Sequence, residues 1–165
     1  MRKTRILQQG ATYHVVAKSN RGEFILNSDE MKEMFLCILE RAKKKFNFKL
    51  KHYCIMSNHI HLLIEPAPGT SLSKLMQWIL SVFAIHFNKM FGLIGHVWYD
   101  RFKSKIIRSF QQLINTLQYI SDNPVKAGIC KESRNYAYSG LYEFKRKRYR
   151  LLNPEIYFLW LNLII

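Results

Sequence analysis

The sequence predicts an α+β fold, a single domain in which an antiparallel β-sheet carries packed helices. Three observations lead there. β-Rich runs alternate with long amphipathic helical runs in the order β-α-β-β-α-β-α, which resembles a ferredoxin-like plan with the helices on one face of the sheet. Two of the β-rich runs are joined by only Ser57-Asn58, too short for a parallel crossover and the right length for a hairpin. Hydrophobic residues make up 48% of the 165, with eleven Phe and nine Tyr, enough to fill one core and too many for a disordered chain.

Each element has a local reason. Residues 12–18 are aromatic and β-branched, a first strand, and Ser19-Asn20-Arg21-Gly22 is a turn cluster. Asn27-Ser28-Asp29-Glu30 opens a helix with acids in its first turn and Arg41, Lys43, Lys44 and Lys45 near its end, the order that complements the helix dipole. Its apolar set, Met31, Met34, Phe35, Ile38 and Leu39, has helical spacing. Phe48 to Met56 reads as a second strand and His59 to Glu65 as a third, ended by Pro66-Ala67-Pro68-Gly69. Ser71 to about Phe91 is a long apolar helix, broken by Gly92 and Gly95, and Val97 to Ile107 contains another strand. Ser109-Phe110-Gln111-Gln112 is a capping box that starts a helix with Leu113, Leu117 and Ile120 on one side. That helix is expected to bend or stop near Asn123, because Pro124 disfavours α geometry before it. Residues 145–165 form an extension of the domain, first basic (Lys145 to Arg150) and then apolar, which must dock or expose a sticky surface.

Composition narrows the partners. Lys plus Arg number 26 against 11 Asp plus Glu, a net +15. Such an excess favours a polyanion, nucleic acid ahead of membrane, because each phosphate contact releases counterions; the plain alternative is solubility. The longest apolar tract, Ile156 to Ile165, is shorter than the roughly 20 residues a bilayer requires, so no membrane role is expected. Cys37, Cys54 and Cys130 form no CxxC pair and read as small buried residues in a reducing cytoplasm. The basic segment Met1 to Gly10 lacks the apolar run of a signal peptide.

Chemistry concentrates in two places. In Met56-Ser57-Asn58-His59-Ile60-His61-Leu62-Leu63-Ile64-Glu65, strand alternation turns His59 and His61 to the same side. Two imidazoles so placed suit one divalent cation, although two half-exposed histidines also occur on strands with no ligand. Tyr119 and Asn123 are four apart and share a helical face. Packed beside the histidine strand, that face would add a phenol and an amide to one site, and a cation there could polarise a phosphodiester for attack by Tyr119. No GxxxxGK[ST] phosphate loop is present. Arg101, Lys103, Lys105 and Arg108 lay charges around Phe102, a candidate DNA-binding set in which the aromatic lies on the other face or stacks on a base. Arg2, Lys3, Arg5 and the run from Lys145 to Arg150 are candidate phosphate contacts. His14, His52 and His86 read as structural; His96 either lines a site or sits in a turn.

Three blocks carry a family resemblance. Met56 to Ile64 resembles the histidine-hydrophobe-histidine motif of the IS200-like single-tyrosine (Y1) transposases of the HUH endonuclease superfamily. Gly95-His96-Val97-Trp98-Tyr99-Asp100-Arg101-Phe102-Lys103-Ser104 is similar to a block of the REP-associated branch, and Gln118-Tyr119-Ile120-Ser121-Asp122-Asn123-Pro124-Val125-Lys126-Ala127-Gly128 to its tyrosine block. The resemblance covers roughly residues 12 to 143. It implies that His59 and His61 bind Mg2+ or Mn2+, with Asn123 in the position of the third ligand. It implies too that Tyr119 attacks single-stranded, hairpin-bearing DNA, leaving a 5′-phosphotyrosine and a free 3′-hydroxyl. It further implies a bacterial, cytoplasmic protein used at the nucleoid, as a monomer or a homodimer that exchanges the tyrosine helix. A neutral amide is a weak ligand for a hard cation, so Asp122 and Glu65 are rivals for the third position. Ser57 stands where the family has a proline. Two other functions stay open: a catalytically weak or domesticated protein that binds DNA hairpins, and a metal-dependent phosphodiesterase that uses water.

Overall fold

The computed structural model describes Gln8 and residues 10–164, and the side chains of these as far as Trp160. Arg2, Lys3 and Arg5 lie outside the described residues. Four strands, β1 (Tyr13–Lys18), β2 (Phe48–Ile55), β3 (His59–Pro66) and β4 (Lys103–Ile106), form one antiparallel sheet in the order β2-β3-β1-β4. Five helices pack on it: α1 (Asp29–Lys45), α2 (Leu72–Phe91), α3 (Phe110–Lys126), α4 (Gly140–Lys145) and α5 (Glu155–Ile164). The sequence-predicted antiparallel sheet and its hairpin at Ser57-Asn58 are both present.

The helices occupy both faces, where one was expected. On the first face Tyr13, Val15 and Ala17 of β1 and Ile60, Leu62 and Ile64 of β3 pack under Phe35, Ile38 and Leu39 of α1 and Leu75, Ile79 and Phe83 of α2. On the second, Cys54 and Leu63 pack under Leu117 and Ile120 of α3, Leu141 and Phe144 of α4, and Tyr157 and Trp160 of α5. β3 is therefore buried on both sides, and its near-continuous apolar run follows from that.

β2 carries an irregularity that serves the second face. Leu50 pairs with Ile64, but the next paired residue is His52, opposite Leu63. The extra residue, Lys51, changes the side to which the following residues point. Cys54 consequently joins the second core and His52 hydrogen-bonds Ser121 and Tyr157 on that side, while Tyr53 and Ile55 stay in the first core.

Caps behave as the sequence indicates. Ser28, Ser71 and Ser109 each accept a backbone N–H at the start of α1, α2 and α3. Gly92 closes α2 with φ +62°, a conformation glycine adopts at no steric cost. α3 departs from expectation: it runs through Pro124 to Lys126. Only the N–H that would meet the Ile120 carbonyl is lost, within the last turn of the helix, and the Pro124 ring is buried.

The basic-then-apolar extension docks. The Asn153 N–H donates to the Leu50 carbonyl at 2.8 Å, and its side-chain oxygen accepts from the Leu50 N–H at 3.0 Å. Both backbone groups of a residue on the edge strand β2 are thereby satisfied. Tyr157 is fully buried, and its hydroxyl hydrogen-bonds His52 Nδ1. Arg150, one of the expected phosphate contacts, instead pairs with Glu33 and Glu40 of α1. Cys54 is buried as expected, whereas Cys37 is exposed.

Gly140 starts α4 directly against this network: a Cβ there would lie 2.7 Å from His52 Nδ1 and 2.9 Å from the Tyr157 hydroxyl. Gly140→Ala is expected to destabilise the fold by about 1–3 kcal/mol, the usual cost of overpacking. Urea unfolding of the two proteins checks this; an unchanged midpoint would mean that the contact relaxes without cost.

Candidate active site

The second sheet face gathers the titratable groups. β1 and β3 pair so that Lys18 is opposite His59, Val16 opposite His61 and His14 opposite Leu63. β1 and β4 pair so that Lys105 is opposite His14 and Lys103 opposite Val16. Side chains directly across a ladder share a face. His59, His61, His14, Lys18, Lys103 and Lys105 therefore form one polar surface across three strands, bordered by the second core.

α3 lays its tyrosine on that surface. Leu117, Ile120, Ser121 and Pro124 are the buried stripe of the helix, and Tyr119 flanks them, 47% exposed. Its ring meets His61 edge-on at 5.7 Å between centroids and His14 at 5.9 Å. His59 and His61 are 4.9 Å apart by the same measure. Lys126, two turns further along α3, places its Nζ 5.4 Å from the centre of the Tyr119 ring.

Each imidazole of the motif has its Nδ1 engaged. His59 Nδ1 donates to Asn58 Oδ1 at 2.7 Å, and Asn58 in turn donates to the Gly22 carbonyl at 3.4 Å. His61 Nδ1 lies 3.0 Å from His14 Nε2, with the two rings stacked. His61 Nε2 is buried and has no hydrogen-bond partner among the described residues. Burial first, then the charges of His59 and His14, pushes the His61 pKa down to about 3. Burial and Lys105 take His14 to about 4, and burial and Lys18 lower His59. All three rings are thus neutral near pH 7, the form that offers a lone pair to a cation.

The three candidates for a third ligand differ in their commitments. Asn123 Nδ2 donates to the Tyr119 carbonyl at 2.7 Å, one turn back along the helix, a contact that does not use its Oδ1. Asp122 accepts from Gln118 at 2.8 Å and Ser133 at 3.3 Å. Glu65 is held by Lys51 at 2.5 Å and Thr12 at 3.2 Å, beyond Leu63 on the strand. Among the described residues, no group of three His, Cys, Asp or Glu is placed to hold a metal.

The basic set divides. Lys103 and Lys105 are exposed on the histidine face of β4, and Arg108 is exposed just before α3. Arg101 and His96 line a cavity of about 810 Å3 between α2 and residues 95–102. Phe102 is corrected: it is 6% exposed and packed in the first core, so its ring is not offered to a base. His52 is structural, as expected, with Ser121 Oγ 3.0 Å from its Nε2. His14 is the residue the sequence reading missed. Its strand was legible, but the cross-strand partner that brings it to His61 depends on register. Asn58 was assigned only to the turn; its position just before His59 was the available signal.

Comparison with known proteins bears on the family and the fold. The family described as IS200-like transposase matches residues 8–123. A Haemophilus influenzae protein described as a REP-associated tyrosine transposase is 24% identical over 135 residues, 72% of this chain and 77% of that one. Among solved structures, a REP-associated tyrosine transposase bound to a REP hairpin has the same fold, with a TM-score of 0.74 and 21% identity over 90% of this chain and 88% of that one. A transposase from Deinococcus radiodurans matches at a TM-score of 0.52 and 19% identity, over 74% and 97% of the two chains. Among the described residues, no helix is long and apolar enough to cross a membrane.

The lowered histidine pKa values have a stability consequence. His52, fully buried, is held down at about 3, chiefly by burial. In the unfolded chain these histidines take up protons near pH 6.5, so below that pH the unfolded state binds more protons than the folded one. Their neutral burial therefore costs nothing above about pH 6.5 and destabilises progressively as pH falls. The thermal midpoint is expected to drop by several degrees between pH 7 and pH 4, with a shallower drop in His52→Gln. An equally steep drop in that variant would remove His52 from the effect.

Proposed function

The chain belongs to the family of IS200-like transposases, and from that premise we propose that it cuts and rejoins single-stranded, hairpin-bearing DNA through a 5′-phosphotyrosine at Tyr119. The observation that carries the reading is the half-exposed Tyr119 ring set edge-on against His61, beside two neutral imidazoles whose Nδ1 atoms are already engaged.

His59 and His61 are the residues that would hold a divalent cation, through the Nε2 atoms their partners leave over. A donated His59 Nδ1–H fixes the tautomer with its lone pair on Nε2. His61 reaches the same state by donating Nδ1–H to His14 Nε2, and its buried, unpartnered Nε2 then has a ligand to satisfy. Asn123 Oδ1, one turn beyond Tyr119, would supply the third protein position. Two imidazoles and an amide favour Mn2+ over the harder Mg2+, which keeps its waters. A cation there supplies charge that stabilises the phosphodiester oxygens during displacement.

The chain's own residues do the rest. Tyr119 gives up its phenolic proton as its oxygen bonds to phosphorus, the bond from phosphorus to the 3′ oxygen breaks, and that oxygen takes up a proton to leave as a 3′-hydroxyl. The phosphodiester energy is kept in the phosphotyrosine, so attack by another 3′-hydroxyl reverses the step without ATP. Lys18, Lys103 and Lys105 border the site and hold the phosphate backbone. Tyr119 faces His61 of its own chain, the arrangement expected of a monomer that acts in cis.

A second reading, a hairpin-binding protein without efficient chemistry, is favoured by one fact: no third His, Cys, Asp or Glu completes the two histidines among the described residues.

Incubation with single-stranded hairpin oligonucleotides copied from the DNA flanking the gene, in Mn2+, is expected to give a protein–DNA adduct on denaturing gels. Tyr119→Phe should abolish it, and an adduct that persists would sink the assignment; DNA binding with no adduct in any metal would favour the second reading. His14→Ala should weaken Mn2+ binding about 10- to 100-fold, measured by Mn2+ paramagnetic resonance titration, because it frees the His61 ring and tautomer. Unchanged affinity would make His14 a bystander.

A further inference from the structure

A second feature sits on the far side of His59 from Tyr119. A pocket of about 400 Å3 is lined by Lys18, Ser19, Arg21, Asn58, His59 and Tyr99. We propose that it binds the nucleotide on the leaving side of the scissile phosphate, whose 3′ oxygen departs when Tyr119 attacks. The inference rests on the reading of Tyr119 as nucleophile.

Direction is the first reason. An in-line displacement needs nucleophile and leaving group on opposite sides of phosphorus. Along the sheet face, Tyr119 packs at the His61 and His14 end. His59 follows, with Lys18 across from it, and the pocket opens beyond both. A phosphate at the histidines, attacked from the Tyr119 side, would direct its leaving oxygen toward that pocket.

Chemistry is the second. Two of the lining residues are cationic and none is acidic, which suits a sugar-phosphate backbone. Tyr99 is 73% exposed, yet its backbone is fixed: its N–H donates to the Lys18 carbonyl at 3.0 Å. A ring so presented is a stacking platform for a base of any sequence. Ser19 is 2% exposed, and its hydroxyl has no partner among the described residues.

Backbone hydrogen bonds tie the walls of the pocket together. Ser19 N–H donates to the Asn58 carbonyl at 2.9 Å and Asn20 N–H to the Val97 carbonyl at 2.8 Å, which joins three separate segments around the pocket. Arg21 has φ +52° and ψ 15°, a left-handed conformation that costs a side-chain-bearing residue energy and that concentrates at functional sites. Asn58 borders the pocket and accepts from His59 as well, so occupancy there is coupled directly to the orientation of a motif histidine.

The test uses the whole chain and two probes. With fluorescein-labelled dT12, fluorescence anisotropy should show binding weakened about 5- to 100-fold in Tyr99→Ala and restored in Tyr99→Phe, as stacking requires. The cut position is then mapped from the wild-type adduct, and 5-iodo-deoxyuridine is placed on either side of it in oligonucleotides crosslinked to Tyr119→Phe protein. A crosslink at Tyr99 from the nucleotide 5′ of the cut supports the assignment. A crosslink only from the 3′ side, or none at Tyr99, overturns it. Failure of the wild type to form any adduct overturns the nucleophile reading and the leaving-side assignment with it, while the anisotropy difference would still report DNA in the pocket.

Discussion

The registers linking β1 to its two neighbours are the constraint on which the site depends. They set His14, Val16 and Lys18 on the same face as His59 and His61, with Lys103 and Lys105 alongside. A slip of one residue would turn every β1 side chain to the other side, trading the His14–His61 contact for Tyr13 or Val15 and exposing the first core. Burial enforces that register. Tyr13, Val15 and Ala17 are 2%, 0% and 2% exposed, so the apolar half of β1 has one acceptable placement and the polar half follows.

The site's electrostatics follow from the same arrangement. Burial holds three imidazoles neutral in a chain of net charge +15, beside Lys18 and Lys105. Protonating them would add charge to a face already cationic. Under the proposed function, a cation and a phosphodiester together would suit such a surface, because the anion would neutralise both the metal and the lysines.

The second core positions the tyrosine helix. Ser121, two residues after Tyr119, meets His52 of β2, and His52 meets Tyr157 of α5. A buried polar chain of this kind keeps its members in one arrangement, since leaving any donor or acceptor unpaired costs about 1–3 kcal/mol. The C-terminal extension is thus a structural partner of α3: it covers the edge of β2 through Asn153 and fixes His52 through Tyr157. Pro124 fits the same helix because its ring is part of the buried stripe.

Much of the fold and half of the site were legible in the sequence. Alternation placed His59 and His61 on one side of a strand, helical spacing placed Tyr119 and Asn123 on one face, and Ser28, Ser71, Ser109 and Gly92 marked helix ends. These are local rules, written within a few residues of chain. Which strand lies beside which, and in what register, is decided by burial across the whole sheet. That is why His14 became the neighbour of His61, why Phe102 went inside, why Lys51 could be spent on a bulge that turned His52 toward α3, and why helices cover both faces. The sequence by itself determined the imidazoles and the phenol. Asn58 orients its neighbour His59 locally, but the other orienting partners were decided by tertiary packing, because they lie 47 residues apart for His14 and His61 and 69 for His52 and Ser121.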